Sequence, residues 1–503
     1  MTYLIRVALA AAVFTTALHA DVIPNALFSD GAVLQRDQAI PVWGTAKDGE
    51  NVTVEFAGQK LKTTAASGKW RVNLTPLAAG GPFTMTISGN NVVTVKDLFV
   101  GEVWLCSGQS NMHFRMVSVA NSAQEIAAAD YPALRFFNVP QQMEQSPGAA
   151  LKGEWKSISP ETADQCSAVA FYFGRDLQKK LGIPVGLIIS AVGGSRIESW
   201  MRAETLAATG QSADLVKKWA DTSPEKFKRI SKEYAAFQYQ RDQVHPQLVK
   251  DAKAQSLPLP PPPVAPKLRT HDAPSALHNG MIAPLQPFAI RGAIWYQGES
   301  NSGQPMLYQK LLPALIQDWR SAWGTPLPFL FVQLAPYKGT HPSFRDAQLA
   351  ISQSTPLTAI AVTTDVGDAN NIHPTRKEPV GQRLALAARA LAYGEKIEYS
   401  GPIYDSMTAS DGKVILRFKH IGGGLIAKDG ALKGFTLAGS DGKFFPATAT
   451  IQGDTVVVIS DKIANPTAAR YGWTQFPEVN LFNQEGLPAA PFRTDRPSDT
   501  GVQ

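Results

Sequence analysis

Residues 101–112 read GEVWLCSGQSNM, and the parsing of that stretch decides the fold. Val103, Trp104, Leu105 and Cys106 form a short apolar run bounded by turn residues, the pattern of a buried strand. The run stops at Ser107-Gly108-Gln109-Ser110-Asn111, which is small, polar and poor in strand formers. Open α/β sheets keep their sites just outside the carboxyl ends of their strands. Ser110 is therefore a candidate nucleophile, although a serine in that position is also a common helix cap.

Further strands of the same kind follow. Val185–Ile189 leads into Ser190-Ala191-Val192-Gly193-Gly194-Ser195, and Ala289–Tyr296 into Gln297-Gly298-Glu299-Ser300-Asn301. Phe329–Leu334 and Thr358–Asp365 complete the set. Amphipathic segments lie between them: Val169, Phe173 and Leu177 share one helical face, Leu311, Leu315 and Trp319 another, and 380–391 reads as a further helix. Strands alternating with helices over 97–400 predict an α/β fold, a parallel sheet with helices on both faces. An insertion at about 205–270 begins helical, with Ser223-Pro224-Glu225 as a start signal and Phe227, Ile230, Tyr234 and Phe237 as its apolar stripe. It continues through Pro258, Pro260 to Pro263 and Pro266, a stiff extended stretch.

The flanks are β-rich. Residues 21–96 contain strand patterns at Ala39–Trp43, Val52–Phe56, Trp70–Leu74 and Phe83–Ile87, and 401–495 at Val414–Phe418, Gly434–Leu437 and Thr455–Ile459. These two segments either share one sandwich or stand apart. Residues 1–20, with Arg6 before an apolar stretch and small residues before Asp21, read as a signal peptide. The expected protein is exported, periplasmic or secreted, with no membrane attachment after cleavage.

At 503 residues the chain is long enough for more than one domain. A net charge of +6 arises from scattered Lys and Arg, which favours solubility over nucleic-acid binding. Its two cysteines, Cys106 and Cys166, are compatible with a disulfide or with two buried thiols, and no zinc-type cluster is apparent.

Acyl transfer through serine needs a base, a group that orients the base, and donors for the oxyanion. The strand ends offer each part. Gly193 and Gly194 expose backbone N–H groups, and Gln297 carries a neutral amide. His373, in the loop 363–374 after the last strand, combines a strand-end position with nearby carboxylates, Asp365 and Asp368. Asn111, Arg196, Glu299 and Arg345 are candidates for substrate contact.

Four motifs in this order, GEVWLCSGQSNM, AVGGSRIESW, AIWYQGESN and DVGDANNIHPTRK, resemble the sialate O-acetylesterase-like carbohydrate esterases of the SGNH-hydrolase superfamily. VLQRDQAIPVWGTA near the N-terminus and YGW…NLFNQEGLPAAPFRTD near the C-terminus extend the resemblance over nearly all of 21–495. It implies a flavodoxin-like sheet with β-rich accessory regions, no cofactor or metal, and deacetylation of O-acetylated sugars. Carried over, Ser110 is the nucleophile and His373 the base, with the Ser110 N–H, a Gly193-Gly194 N–H and Gln297 around the oxyanion. The acid departs from the superfamily pattern, because Asn370 stands where an aspartate is common. Asp365, Asp368 and a backbone carbonyl remain alternatives for orienting His373. Acetylated xylan or related plant oligosaccharide is the expected substrate, with O-acetylated sialic acid as the alternative and a non-catalytic glycan-binding protein as the competitor from another class.

Overall fold

The computed structural model describes residues 21–148 and 150–495, so the expected signal peptide at 1–20 lies outside the described residues. A central sheet organises the chain. Its strands are β1 (Val92–Gly108), β2 (Tyr131–Asn138), β3 (Trp155–Ile158), β4 (Val185–Ala191), β5 (Gly292–Tyr296), β6 (Phe329–Val332) and β7 (Thr358–Ala361). They lie in the order β3-β2-β4-β1-β5-β6-β7. All neighbours run parallel except the edge strand β3, which pairs antiparallel with β2. The β2–β3 pair has no counterpart in the sequence-based expectation. With β2, itself parallel to β4, set aside together with β3, the other five strands follow the spatial order 2-1-3-4-5, with β1 flanked by β4 and β5 at the switch point.

The helices that matter to the site are α1 (Ser110–His113), α2 (Ala168–Leu181), α3 (Pro305–Trp323), α4 (Pro342–Ser354) and α5 (Glu378–Tyr393). Helix α2 packs on α5 and β4, α3 packs on α4, and α4 and α5 reach β7. Burial on both faces explains why the central strands read as continuous apolar runs: every residue of β4, β5, β6 and β7 is buried.

The N-terminal strands are not separated from this sheet. β1 begins with an alternating exposure pattern and is buried throughout from Val100 to Gly108. Its first half pairs antiparallel with Gly80–Ser88, its second half joins the parallel sheet. The boundary expected after residue 96 falls at a register shift within this one strand, where Asp97 adopts φ 59°. One hydrophobic cluster accordingly runs from Val22 through the central sheet.

The C-terminal strands differ. Ile403–Ser410, Lys413–Lys419, Thr455–Ile459 and Thr448–Gln452 form one four-stranded sheet, and a second holds Phe435–Ala438 and Ala468–Tyr471. Val414, Leu416, Leu437, Val456, Val458, Tyr471 and Phe492 belong to a core of their own. The described strands of the two β-rich flanks share no sheet. The insertion contains helices Ala203–Ala208, Ala213–Ala220, Pro224–Tyr239 and His245–Ala254, and the Ser223 side chain caps the third by accepting from the Lys226 N–H. Phe227 and Ile230 of that stripe join Trp219, Ala273 and Ala276 in a small satellite core.

Candidate active site

The carboxyl ends of β1, β4, β5 and β7 meet where the sequence places its polar clusters. β1 ends at Gly108, which has φ +138°, and a Cβ there would stand 2.2 Å from the Tyr296 carbonyl oxygen of β5. Only glycine admits that approach. Ser110 follows as the first residue of α1, so its backbone N–H has no partner within the helix. The turn after β4 packs directly on it, with the position of a Gly193 Cβ lying 3.4 Å from the Ser110 Cβ. The backbone N–H groups of Ser110 and Gly193 therefore belong to one small region beside the hydroxyl.

The His373 loop reaches across from β7. Ser110 Oγ and His373 Nε2 are 2.7 Å apart, a hydrogen bond in which the hydroxyl donates to a neutral imidazole. Burial holds the His373 pKa below the ordinary histidine value, and the Lys377 cation lowers it further. Both causes favour the neutral ring that a general base requires.

Neither candidate carboxylate touches that ring. Asp365 is engaged bidentately by Arg383, with Oδ1 and Oδ2 each 2.7 Å from a guanidinium nitrogen. Asp368 Oδ1 accepts from the Asn370 and Asn371 N–H groups at 2.8 and 3.0 Å, closing its own loop. Both lie beyond 4.0 Å from the His373 ring nitrogens, and among the described residues Nδ1 has no hydrogen-bond partner. The side chain of Asn371 instead accepts from the His373 backbone N–H at 2.9 Å.

Several expected contact residues are turned inward. The Gln297 amide is fully buried and spends both N–H bonds on the Ser195 carbonyl at 3.1 Å and Asn301 Oδ1 at 2.9 Å. It braces two loops and has no donor left for an oxyanion. Arg345 is buried and donates to the Thr474 and Gln475 carbonyls of the C-terminal segment. It clamps that segment to the first turn of α4 rather than facing sugar. Asn111 is buried and internally bonded. Its Nδ2 donates to Glu299 Oε1 at 2.5 Å and to the Ile372 carbonyl at 3.0 Å, while its Oδ1 accepts from Lys377 Nζ at 2.5 Å. Glu299 has a raised pKa because burial outweighs the Asn111 hydrogen bond, and its Oε2 has no partner. Arg196 remains partly exposed, bonded to Glu198 and Gln304. Cys106 and Cys166 are both buried and free, so neither forms a disulfide.

Lys377 is absent from the sequence-based site. It is 1% exposed, and burial pushes its pKa down to about 7. Its Nζ lies 4.7 Å from the Phe114 ring centre and 5.4 Å from that of Tyr296. The one sequence signal is its place in the loop between His373 and α5. His271, in a polar stretch of the sequence, is also fully buried, against the Gly194 turn.

The chain matches the family described as carbohydrate esterase, sialic acid-specific acetylesterase over residues 100–230 and 272–390. It is 31% identical to the sialate O-acetylesterase of Rattus norvegicus over 93% of both chains. The chain belongs to this esterase family. Its human relative, also a sialate O-acetylesterase, is 30% identical over 92% of this chain and 90% of the relative. The crystal structure of a carbohydrate acetylesterase from Xanthomonas citri superposes with a TM-score of 0.80 at 37% identity, covering 94% of this chain and 99% of that one. This carbohydrate esterase thus acts on carboxylic esters as an acetylesterase, on an α/β fold carrying accessory β regions.

Proposed function

We propose that the chain is a serine hydrolase of the flavodoxin-like SGNH type that removes O-acetyl groups from sugars through an acetyl-enzyme. The observation that carries this reading is the 2.7 Å contact between Ser110 Oγ and His373 Nε2. Ser110 Oγ attacks the acetyl carbonyl while His373 Nε2 takes its proton. The negative oxygen of the tetrahedral intermediate accepts from the Ser110 and Gly193 N–H groups, held by the helix start and the glycine turn. His373 then protonates the departing sugar oxygen. Water, deprotonated by the same ring, attacks the acetyl-enzyme and releases acetate.

For the sugar, O-acetylated sialic acid is the better-supported substrate. The relatives carry that name, and nothing in them supports the expectation of acetylated plant xylan. One cation shortly after Ser110 in the chain, Arg115, adds to this. Arg115 lies in a cavity of about 260 Å³ lined also by His113, Asn138, Gln165 and Ala191, and among the described residues it has no ion pair. Arg115 is exposed and five residues beyond Ser110 in the chain, and an anionic sugar held at Ser110 would pair with it. The N-terminal apolar stretch makes the enzyme an exported one in this reading.

Acetate release measured side by side on O-acetylated sialic acid and acetylated xylo-oligosaccharides tests it, with Arg115→Met as the probe. A higher KM on the sialate only, with p-nitrophenyl acetate unaffected, is the expected result. Preferential turnover of the neutral oligosaccharide would overturn the substrate assignment.

A further inference from the structure

Orienting a base in serine hydrolases ordinarily falls to a carboxylate on its second nitrogen. In this site both nearby aspartates are spent elsewhere, on Arg383 and on the Asp368 turn. A different buried group reaches the histidine loop. The Asn111 amide lies next to the nucleophile in sequence and ties three segments together: α1, the loop after β5 through Glu299, and the histidine loop through the Ile372 carbonyl. Its orientation is fixed by chemistry, because the Ile372 carbonyl can only accept and so takes the amide N–H, which leaves Oδ1 to the Lys377 ammonium. Ile372 is the residue immediately before His373.

We propose that Lys377, acting through Asn111 and Glu299, is the positioning residue that holds His373 against Ser110. The proposal rests on the serine-esterase reading above. Lys377 anchors the far end of the histidine loop, just before α5, and its ammonium sits over the Phe114 and Tyr296 rings. The Glu299 carboxylate is the charge that answers it across the amide. Removing the ammonium frees Asn111 to rotate, and the Ile372 carbonyl loses its tether. A displacement of His373 by a fraction of an ångström to an ångström follows, enough to cost roughly 100-fold in rate.

The titratable groups facing Lys377 are Glu299, Tyr296 and His373. Below about pH 7 Lys377 is charged and disfavours the imidazolium of His373. Its loss therefore raises the His373 pKa and moves the acid limb of kcat/KM to higher pH. Loss of the charge moves that limb whatever the lysine positions, so the positioning role is read from kcat and labelling in the folded variant, which a merely structural lysine would leave unchanged while lowering Tm.

The experiment compares wild type, Lys377→Met, Asn111→Asp and Ser110→Ala by kcat and KM on p-nitrophenyl acetate, the pH profile, the rate of Ser110 labelling by a fluorophosphonate, and Tm. Lys377→Met is expected to lose about 100-fold in kcat and in labelling rate with KM nearly unchanged, and its acid limb rises. Asn111→Asp keeps an acceptor for Lys377 but loses the donors to both Glu299 and Ile372, so it also loses rate, with Tm reporting whether it folds. It decides the matter should Lys377→Met not fold. Wild-type kcat and labelling in a folded Lys377→Met, or in Asn111→Asp, overturns the proposal while an inactive Ser110→Ala leaves the esterase reading standing. Activity in Ser110→Ala instead overturns the nucleophile itself.

Discussion

Two sets of polar side chains sit at the same sheet edge, and they differ in how their hydrogen-bonding capacity is spent. Ser110 and His373 form one set, half-buried and joined by a single hydrogen bond. Asp365 with Arg383, Gln297 with Asn301, and Arg345 with the C-terminal carbonyls form the other, each committed to protein partners. A group whose donors and acceptors are already paired braces a loop. A group with an unused lone pair or proton facing the pocket performs chemistry. Position at a strand end does not separate the two sets; partner geometry does.

The largest expected effect tests the reacting set. Ser110→Ala should lower kcat on acetyl esters by about 10⁴-fold or more, since the nucleophile has no substitute. Tm should hardly change. In the intact enzyme, the acid limb of kcat/KM should lie below the ordinary histidine value of about 6.5, because only neutral His373 accepts a proton and its pKa is depressed by burial and by Lys377. The rate rises with pH through that depressed value. A limb well above it would mean that a different base is acting.

The bracing set should fail in stability before it fails in chemistry. Asp365→Ala leaves the largely buried Arg383 without its carboxylate and should cost about 3 kcal/mol of stability, read from urea denaturation. The folded fraction should keep kcat within about tenfold of wild type. A 10³-fold loss without destabilisation would place Asp365 in the reacting set after all. Arg345→Met should cost about 2 kcal/mol by removing charged hydrogen bonds to the Thr474 and Gln475 carbonyls, and proteolysis should then release the C-terminal segment first.

These differences set what the sequence reveals. Apolar runs such as Val103–Cys106 and five of the six parallel strands are legible because burial on both faces leaves a composition signal that no solvated segment has. The β1 crossover is illegible, since a bulge at Asp97 resembles the end of one domain and the start of another. Ser110, Gly193 and His373 are legible as types of group in the right order. The orientation of the Gln297 amide depends on Ser195 and Asn301, and no local pattern carries it. Lys377 is hidden for a related reason: a lysine reads as solvated, and its burial arises only when α1, the β5 loop and α5 close around it.

The smallest expected effect is the sharpest test of the divide. Asp368 stands nearest in sequence to the usual acid position, yet its Oδ1 is used to cap the Asn370 and Asn371 N–H groups. Asn at this position retains an acceptor oxygen while losing the charge. Asp368→Asn should therefore change kcat by less than about threefold, because a neutral acceptor in an exposed turn replaces a charged one at little cost. Asp368→Ala, which removes the cap, should do more harm to loop order than Asp368→Asn. If the charge itself orients His373 during turnover, Asn and Ala will be equally damaging and both will lose at least 100-fold. That outcome would move Asp368 across the divide and would require its loop to swing toward Nδ1 as the imidazolium forms, when a carboxylate gains most from the contact.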